Sequence, residues 1–285
     1  MSKLAIALRG IRCFFALFGF SDNCDLAPGD LPSVTGECPA FVSGDVIFAP
    51  SALSETRKAK LWISSAANSL DGPIVIYWHG TSSSPDEAES GIGADQIQAI
   101  LDLGGMVLAP YASPESTPWP WFRVEGYRMD DMILMDEMIA CAGMTVGIDV
   151  RRIYTVGFSA GAINAIQAGY LRSNYVAALV SYSGGLVPWM EVPAPQEEDN
   201  MYASMVIHGG VTDVAVVQIN EISEDYHNAM LAAGHYSTIC DHGGGHAIPI
   251  DSQPSALQFL LDHAYRDDPD PYASGLPPEF IEYCN

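Results

Sequence analysis

Six stretches of this chain are almost unbroken apolar runs of strand length. They are 74–78 (IVIYW), 106–110 (MVLAP), 152–157 (RIYTVG), 178–183 (ALVSYS), 204–208 (SMVIH) and 236–240 (YSTIC). A strand with one wet face alternates polar and apolar residues, so a run without alternation needs cover on both sides. Two earlier runs, 45–49 (DVIFA) and 59–64 (AKLWIS), bring the set to eight. Helical patterns span 86–103, 128–142, 160–172, 214–233 and 253–264. Strands alternating with helices predict an α/β class: a mostly parallel eight-stranded sheet with helices on both faces.

The rest of the chain frames that unit. Of 285 residues 48% are hydrophobic and 16% charged, enough for one large core over 45–265 and unlike a disordered chain or coiled coil. Residues 25–44 are rich in Gly, Pro, Ser and Asp and read as an irregular arm. Residues 266–285, rich in Pro and Asp, read as a tail along the surface. In residues 1–24, Lys3, Arg9 and Arg12 precede the apolar run Cys13–Phe20, as in a secretory leader. The expectation is secretion or the cell envelope, or the cytoplasm if 1–24 is no leader. Six cysteines stand at 13, 24, 38, 141, 240 and 284, none in a C-x-x-C pair, so a zinc ribbon is unsupported. Disulfides are expected, with connectivity left open by the spacing.

Charge excludes several partners. There are 12 Lys and Arg against 35 Asp and Glu, for a net charge of −23. A nucleic-acid backbone or an anionic bilayer meets no basic face here. No run of 18 apolar residues suits a transmembrane helix. No H-E-x-x-H or dinucleotide fingerprint occurs, so no metal or organic cofactor is expected. No feature demands an obligate protein partner. A neutral or cationic small molecule or polymer fits the field.

The most informative motif is Gly157-Phe158-Ser159-Ala160-Gly161, a G-x-S-x-G. The pattern alone is weak in a chain with 26 glycines, but its setting is specific. Arg152–Gly157 leads in as a strand and Ala160 onward leads out as a helix, the strand–turn–helix that lifts a serine hydroxyl above a sheet. The turn also sets Ser159 at a helix N-terminus, which favours negative charge. A lone serine needs a base, and the base an orienting acid. Strand 204–208 runs into a loop holding Asp213, and strand 236–240 into Asp241-His242-Gly-Gly-Gly-His246. Ser159, Asp213 and His246 are therefore expected at one sheet edge. His242 is the alternative base and Asp241 the alternative acid. The loop after strand 74–78, His79-Gly80-Thr81, and the elbow supply two backbone N–H groups for an oxyanion, those of Thr81 and Ala160.

These stretches resemble the α/β-hydrolase superfamily, and within it the polyhydroxybutyrate depolymerase and feruloyl-esterase-like group. The resemblance is carried by Tyr77-Trp-His-Gly80, Asp130-Asp131, Gly147–Gly161, His208-Gly-x-x-x-Asp213 and Gly243-Gly-Gly-His246 with Pro249. It implies Ser159 as nucleophile, His246 as base and Asp213 as acid in a serine carboxylic ester hydrolase. The substrate implied is a short-chain ester or a polyester such as polyhydroxybutyrate. The chain departs from the group at Thr81, where Cys is common, and at Ile248, where Trp is common. It also departs in a longer acid turn. Those differences bear on substrate, and a feruloyl or acetyl ester of plant polysaccharide stands as the alternative. A non-catalytic binding module on the same fold is the more distant one. Pro118-Trp-Pro-Trp-Phe122 and Trp189 lie in loops at the expected catalytic edge, so Trp119, Trp121 and Trp189 are candidate substrate contacts. The alternative for Trp119 and Trp121 is packing of their own loop.

Overall fold

The computed structural model describes residues 31–116, 120–121, 129–189 and 199–285. Eight strands form one sheet: β1 (Gly44–Phe48), β2 (Arg57–Ile63), β3 (Ile74–Trp78), β4 (Met106–Pro110), β5 (Ile153–Phe158), β6 (Val176–Tyr182), β7 (Ala203–His208) and β8 (Ser237–Asp241). Their order is β1-β2-β4-β3-β5-β6-β7-β8. β2 is antiparallel to β1 and β4, and every other pair is parallel. Each strand lies within two residues of its expected limits.

The unbroken apolar runs are explained by cover on both faces. In β3, Val75 and Tyr77 face one core layer with Ile97, Ile100, Phe259 and Leu260. Those four belong to α1 (Ala94–Asp102) and α5 (Gln253–Asp262). Ile74, Ile76 and Trp78 face the opposite layer with Met132, Met135, Ala165 and Ala168, on α2 (Asp130–Thr145) and α3 (Ala160–Leu171). α4 (Ile219–Ala232) packs Tyr226 and Met230 against Leu179 and Val206 on the α3 side.

Three expectations need correction. The helix over 86–103 is divided into a 3-10 turn at Pro85–Glu87, a π turn at Glu89–Gly93 and α1. Its Ser90-Gly-Ile-Gly run has weak helical propensity. The helix over 214–233 starts only at Ile219, because Val214–Gln218 folds back on itself with Ala215 N–H donating to Val217 C=O at 3.1 Å. The tail is more than a surface wrap. Tyr272, Phe280 and Cys284 are buried in the core, and Asp241 N–H donates to Tyr283 C=O at 3.0 Å, covering the open edge of β8.

Two disulfides tie the flanking segments down, Cys38–Cys141 and Cys240–Cys284. They point to maturation in an oxidising, extracellular-type environment. Cys13 and Cys24, with the whole leader segment, lie outside the described residues. Among the described residues no helix is long and apolar enough to cross a membrane.

Candidate active site

The carboxyl ends of the parallel strands converge on the site, as open α/β sheets require. β5 ends at Phe158, and α3 starts two residues later, leaving Ser159 alone in the turn at φ +55°, ψ −120°. That left-handed φ disfavours any residue with a Cβ, and the surrounding packing maintains it. The packing depends on glycine. A Cβ on Gly161 would lie 1.9 Å from the Trp78 carbonyl oxygen, and one on Gly157 would lie 2.2 Å from the Gly161 carbonyl oxygen. With no side chain at either place, the start of α3 rests directly on the end of β3.

One hydrogen-bonded chain runs through three loops. His246 Nε2 lies 3.0 Å from Ser159 Oγ, and His246 Nδ1 lies 2.6 Å from Asp213 Oδ1. Ser159 and His246 are half-buried, while Asp213 is completely buried. Asp213 Oδ2 accepts from the Ser183 hydroxyl at 2.8 Å and from Gly209 N–H at 2.9 Å. Burial is the largest single influence on the Asp213 carboxyl and acts to raise its pKa. The hydrogen bonds from His246, Gly209 and Ser183 together outweigh it and hold the group below the usual carboxylate range.

The backbone crossing of two glycines brings His246, and not His242, to Asp213 and Ser159. Gly245 N–H donates to Gly209 C=O at 3.0 Å, and a Cβ on Gly209 would lie 1.9 Å from the Gly245 carbonyl oxygen. That contact lays the His246 loop on the Asp213 loop. His242 turns elsewhere, accepting Gly244 N–H at Nδ1 (3.3 Å), with its imidazole pKa lowered chiefly by burial. Asp241 is exposed and accepts Gly243 N–H at 2.9 Å.

The His79-Gly80-Thr81 loop abuts the elbow. A Cβ on Gly161 would lie 2.7 Å from the His79 carbonyl oxygen, and one on Gly80 would lie 3.0 Å from the Phe158 ring. Glu87 fixes this loop, accepting Gly80 N–H at 2.8 Å and the Tyr77 hydroxyl at 3.0 Å on one oxygen. His79 is buried, which lowers its pKa, and its Nδ1 lies 2.8 Å from the Gly80 carbonyl oxygen. The His79 carbonyl in turn accepts the Trp121 indole N–H at 2.9 Å.

That bond corrects one expectation. Trp121 is 4% exposed and packs edge-on against Trp78, ring centres 5.0 Å apart, so its ring braces the loop instead of facing a substrate. Trp119 lies outside the described residues. Trp189 is half-buried beside Val187, Ile219 and Ile222. Sequence reasoning missed Ser183 and Glu87. Ser183 offered one signal, a polar residue at the end of an apolar strand and at the same edge as the serine, whereas Glu87 fell inside the expected helix over 86–103 and offered none.

Several solved structures resemble this chain. One titled pOPH, in its native form, superposes with a TM-score of 0.70 at 19% identity, covering 87% of this chain and 96% of its own. A thermostable esterase matches with a TM-score of 0.61 at 18% identity, over 77% of this chain and 62% of its own. A ferulic acid esterase from Anaeromyces mucronatus, solved with ferulic acid, gives 0.58 at 19% identity over 80% of this chain and 91% of its own. At such identities the likeness is one of fold. No curated protein matches in a sequence comparison. The model of the phospholipase/carboxylesterase family matches residues 73–264, about two thirds of the chain, and with the eight-stranded sheet this makes the chain a member of that family of α/β-hydrolases.

Proposed function

We propose that this protein is a serine carboxylic ester hydrolase working through an acyl-enzyme. The observation that carries the reading is the continuous chain Ser159–His246–Asp213, 3.0 Å and 2.6 Å long in its two links. Ser159 Oγ attacks the ester carbonyl as His246 Nε2 takes its proton. Asp213 keeps the other imidazole proton on Nδ1 and stabilises the imidazolium. Among the described residues neither Thr81 N–H nor Ala160 N–H has a protein acceptor, which leaves both for the oxyanion. His246 then protonates the departing alkoxide. Water, deprotonated by the same imidazole, releases the acid. No step calls for a metal or organic cofactor.

The rim favours a neutral ester with an apolar body, a short-chain ester or a polyester. Residues 79–84, 184–189, 209–218 and 242–250 hold one Asp, Glu, Lys or Arg between them, the buried Asp213, in a chain with 35 acids and 12 bases. Val211, Val214, Val216 and Ile250 are 76%, 51%, 67% and 73% exposed beside the acid and base loops. Trp189 adds a flat, half-covered ring for the acyl or polymer chain. Two disulfides fit an exported enzyme meeting such material outside the cell.

Ser159→Ala tests the chemistry. Its kcat on a p-nitrophenyl ester is expected to fall by about 10⁴ or more with the fold intact. A variant retaining a tenth of wild-type activity would remove Ser159 from the mechanism. Reaction with a fluorophosphonate probe separates the enzyme from a non-catalytic binding module. A panel of C2 to C16 p-nitrophenyl esters, polyester film and feruloylated arabinoxylan then identifies the substrate, with turnover confined to arabinoxylan reversing the polyester reading.

A further inference from the structure

Asp213 has three hydrogen-bond donors of different origin. His246 belongs to the reacting chain and Gly209 to the acid's own loop, whereas Ser183 comes from the end of a separate strand, β6. Ser183 is 1% exposed and sits at φ +50°, a left-handed backbone that disfavours a side chain. Such an outlier persists only where its surroundings hold it, and it invites the question of what it achieves. Its neighbours supply the answer. The Tyr182 carbonyl accepts Ser159 N–H at 2.9 Å, and Ser183 N–H donates to the Ile207 carbonyl at 2.7 Å. The single step Tyr182–Ser183 is thus bonded to the backbone of the serine elbow, to the end of β7 and, through its hydroxyl, to the Asp213 carboxylate.

We propose that Ser183 is a positioning residue: its left-handed backbone and its hydroxyl hold Asp213 with Oδ1 presented to His246. The inference rests on the serine mechanism proposed above. Without the hydroxyl, Oδ2 keeps only Gly209 N–H among these donors. The carboxylate gains freedom to rotate, and the Nδ1–H···Oδ1 bond loosens. The loss falls on proton transfer in the transition state and leaves ground-state binding of the ester alone.

Ser183→Gly and Ser183→Ala test this together, because glycine accepts the positive φ without strain while alanine keeps the Cβ. Both are expected to lower kcat about 10- to 100-fold, as loss of a hydrogen bond to a charged group implies, with KM within about twofold of wild type. Ser183→Cys, with a weak donor, is expected to fall between. A structural role alone does not move the second readout, a double-mutant cycle. In an Asp213→Asn background, Ser183→Gly is expected to lower kcat by less than about twofold, since the group it orients has already lost its charge. Wild-type kcat in Ser183→Gly, a rise in KM at constant kcat, or a full further tenfold loss in the Asp213→Asn background would each overturn the proposal. Activity surviving in Ser159→Ala would instead defeat the underlying mechanism. An inactive Ser159→Ala beside a fully active Ser183→Gly would defeat the positioning role alone.

Discussion

Asp213 is buried with His246, Gly209 and Ser183 as hydrogen-bond partners and still titrates low, because these three donors converge on it. The thermodynamic consequence has a definite sign. A carboxyl whose folded pKa lies below its unfolded value of about 4 stabilises the fold above that range and ceases to do so as pH falls through the folded value. The difference in unfolding free energy between wild type and Asp213→Asn is therefore expected to shrink as pH drops from about 6 to about 3. Urea unfolding of both proteins across that range measures it. A difference that grew in acid would mean burial, and not hydrogen bonding, decides the carboxyl. At this scale the sequence was informative about residue types and loops and uninformative about direction. Ser159, Asp213 and His246 follow from motif and chain order. Trp121 does not: an aromatic cluster between prolines reads alike whether its rings face a ligand or a neighbouring strand. Only the indole bond to the His79 carbonyl decides it.

The elements show the same division. Strand limits were legible because the core on both faces forces unbroken apolar runs, whereas the start of α4 was hidden. Val214–Gln218 is apolar enough for a helix but folds back after the Asp213 turn. The arm was legible only as irregular, since its anchors lie about a hundred residues away. Glu137 on α2 accepts the Thr35 N–H (3.0 Å), the Thr35 hydroxyl (2.6 Å) and the Gly36 N–H (2.8 Å), and one turn further Cys141 bonds Cys38. The first turn of α2 is held as firmly. Asp131 pairs with Arg57 of β2 at 2.8 Å, both side chains being 3% exposed or less. Removing one partner strands a buried charge. Asp131→Ala is expected to lower unfolding free energy by about 3–5 kcal/mol, read from the urea midpoint, while Arg57→Met with Asp131→Leu recovers most of the loss. If the single variant lost less than about 1 kcal/mol, water would be solvating Arg57 and the pair would contribute little.

Over the whole molecule the decisive quantity is charge. A net −23 at a sequence pI near 4.3 means the compact state works against its own repulsion, since folding brings 35 acids closer together than in the extended chain. Local pairs such as Arg172–Asp136 at 2.6 Å and Arg151–Asp267 at 2.9 Å act in the opposite sense, but only 12 basic side chains exist to make them. Salt weakens both effects. At about 0.5 M the screening length falls to a few ångströms, shorter than the spacing of most like charges and longer than a contact pair. Screening therefore removes repulsion faster than attraction. The urea midpoint is expected to rise between about 10 mM and about 0.5 M NaCl, with urea chosen because, unlike guanidinium, it adds no ions. A falling midpoint would show that the few ion pairs outweigh the global field. The same field bears on the proposed function: residues 79–84, 184–189, 209–218 and 242–250 carry only the buried Asp213, so a neutral ester would meet no exposed charge on those segments. Hydrolysis of a neutral ester should accordingly keep its kcat/KM across that salt range, while an ester with an anionic acyl group should gain as salt screens its approach.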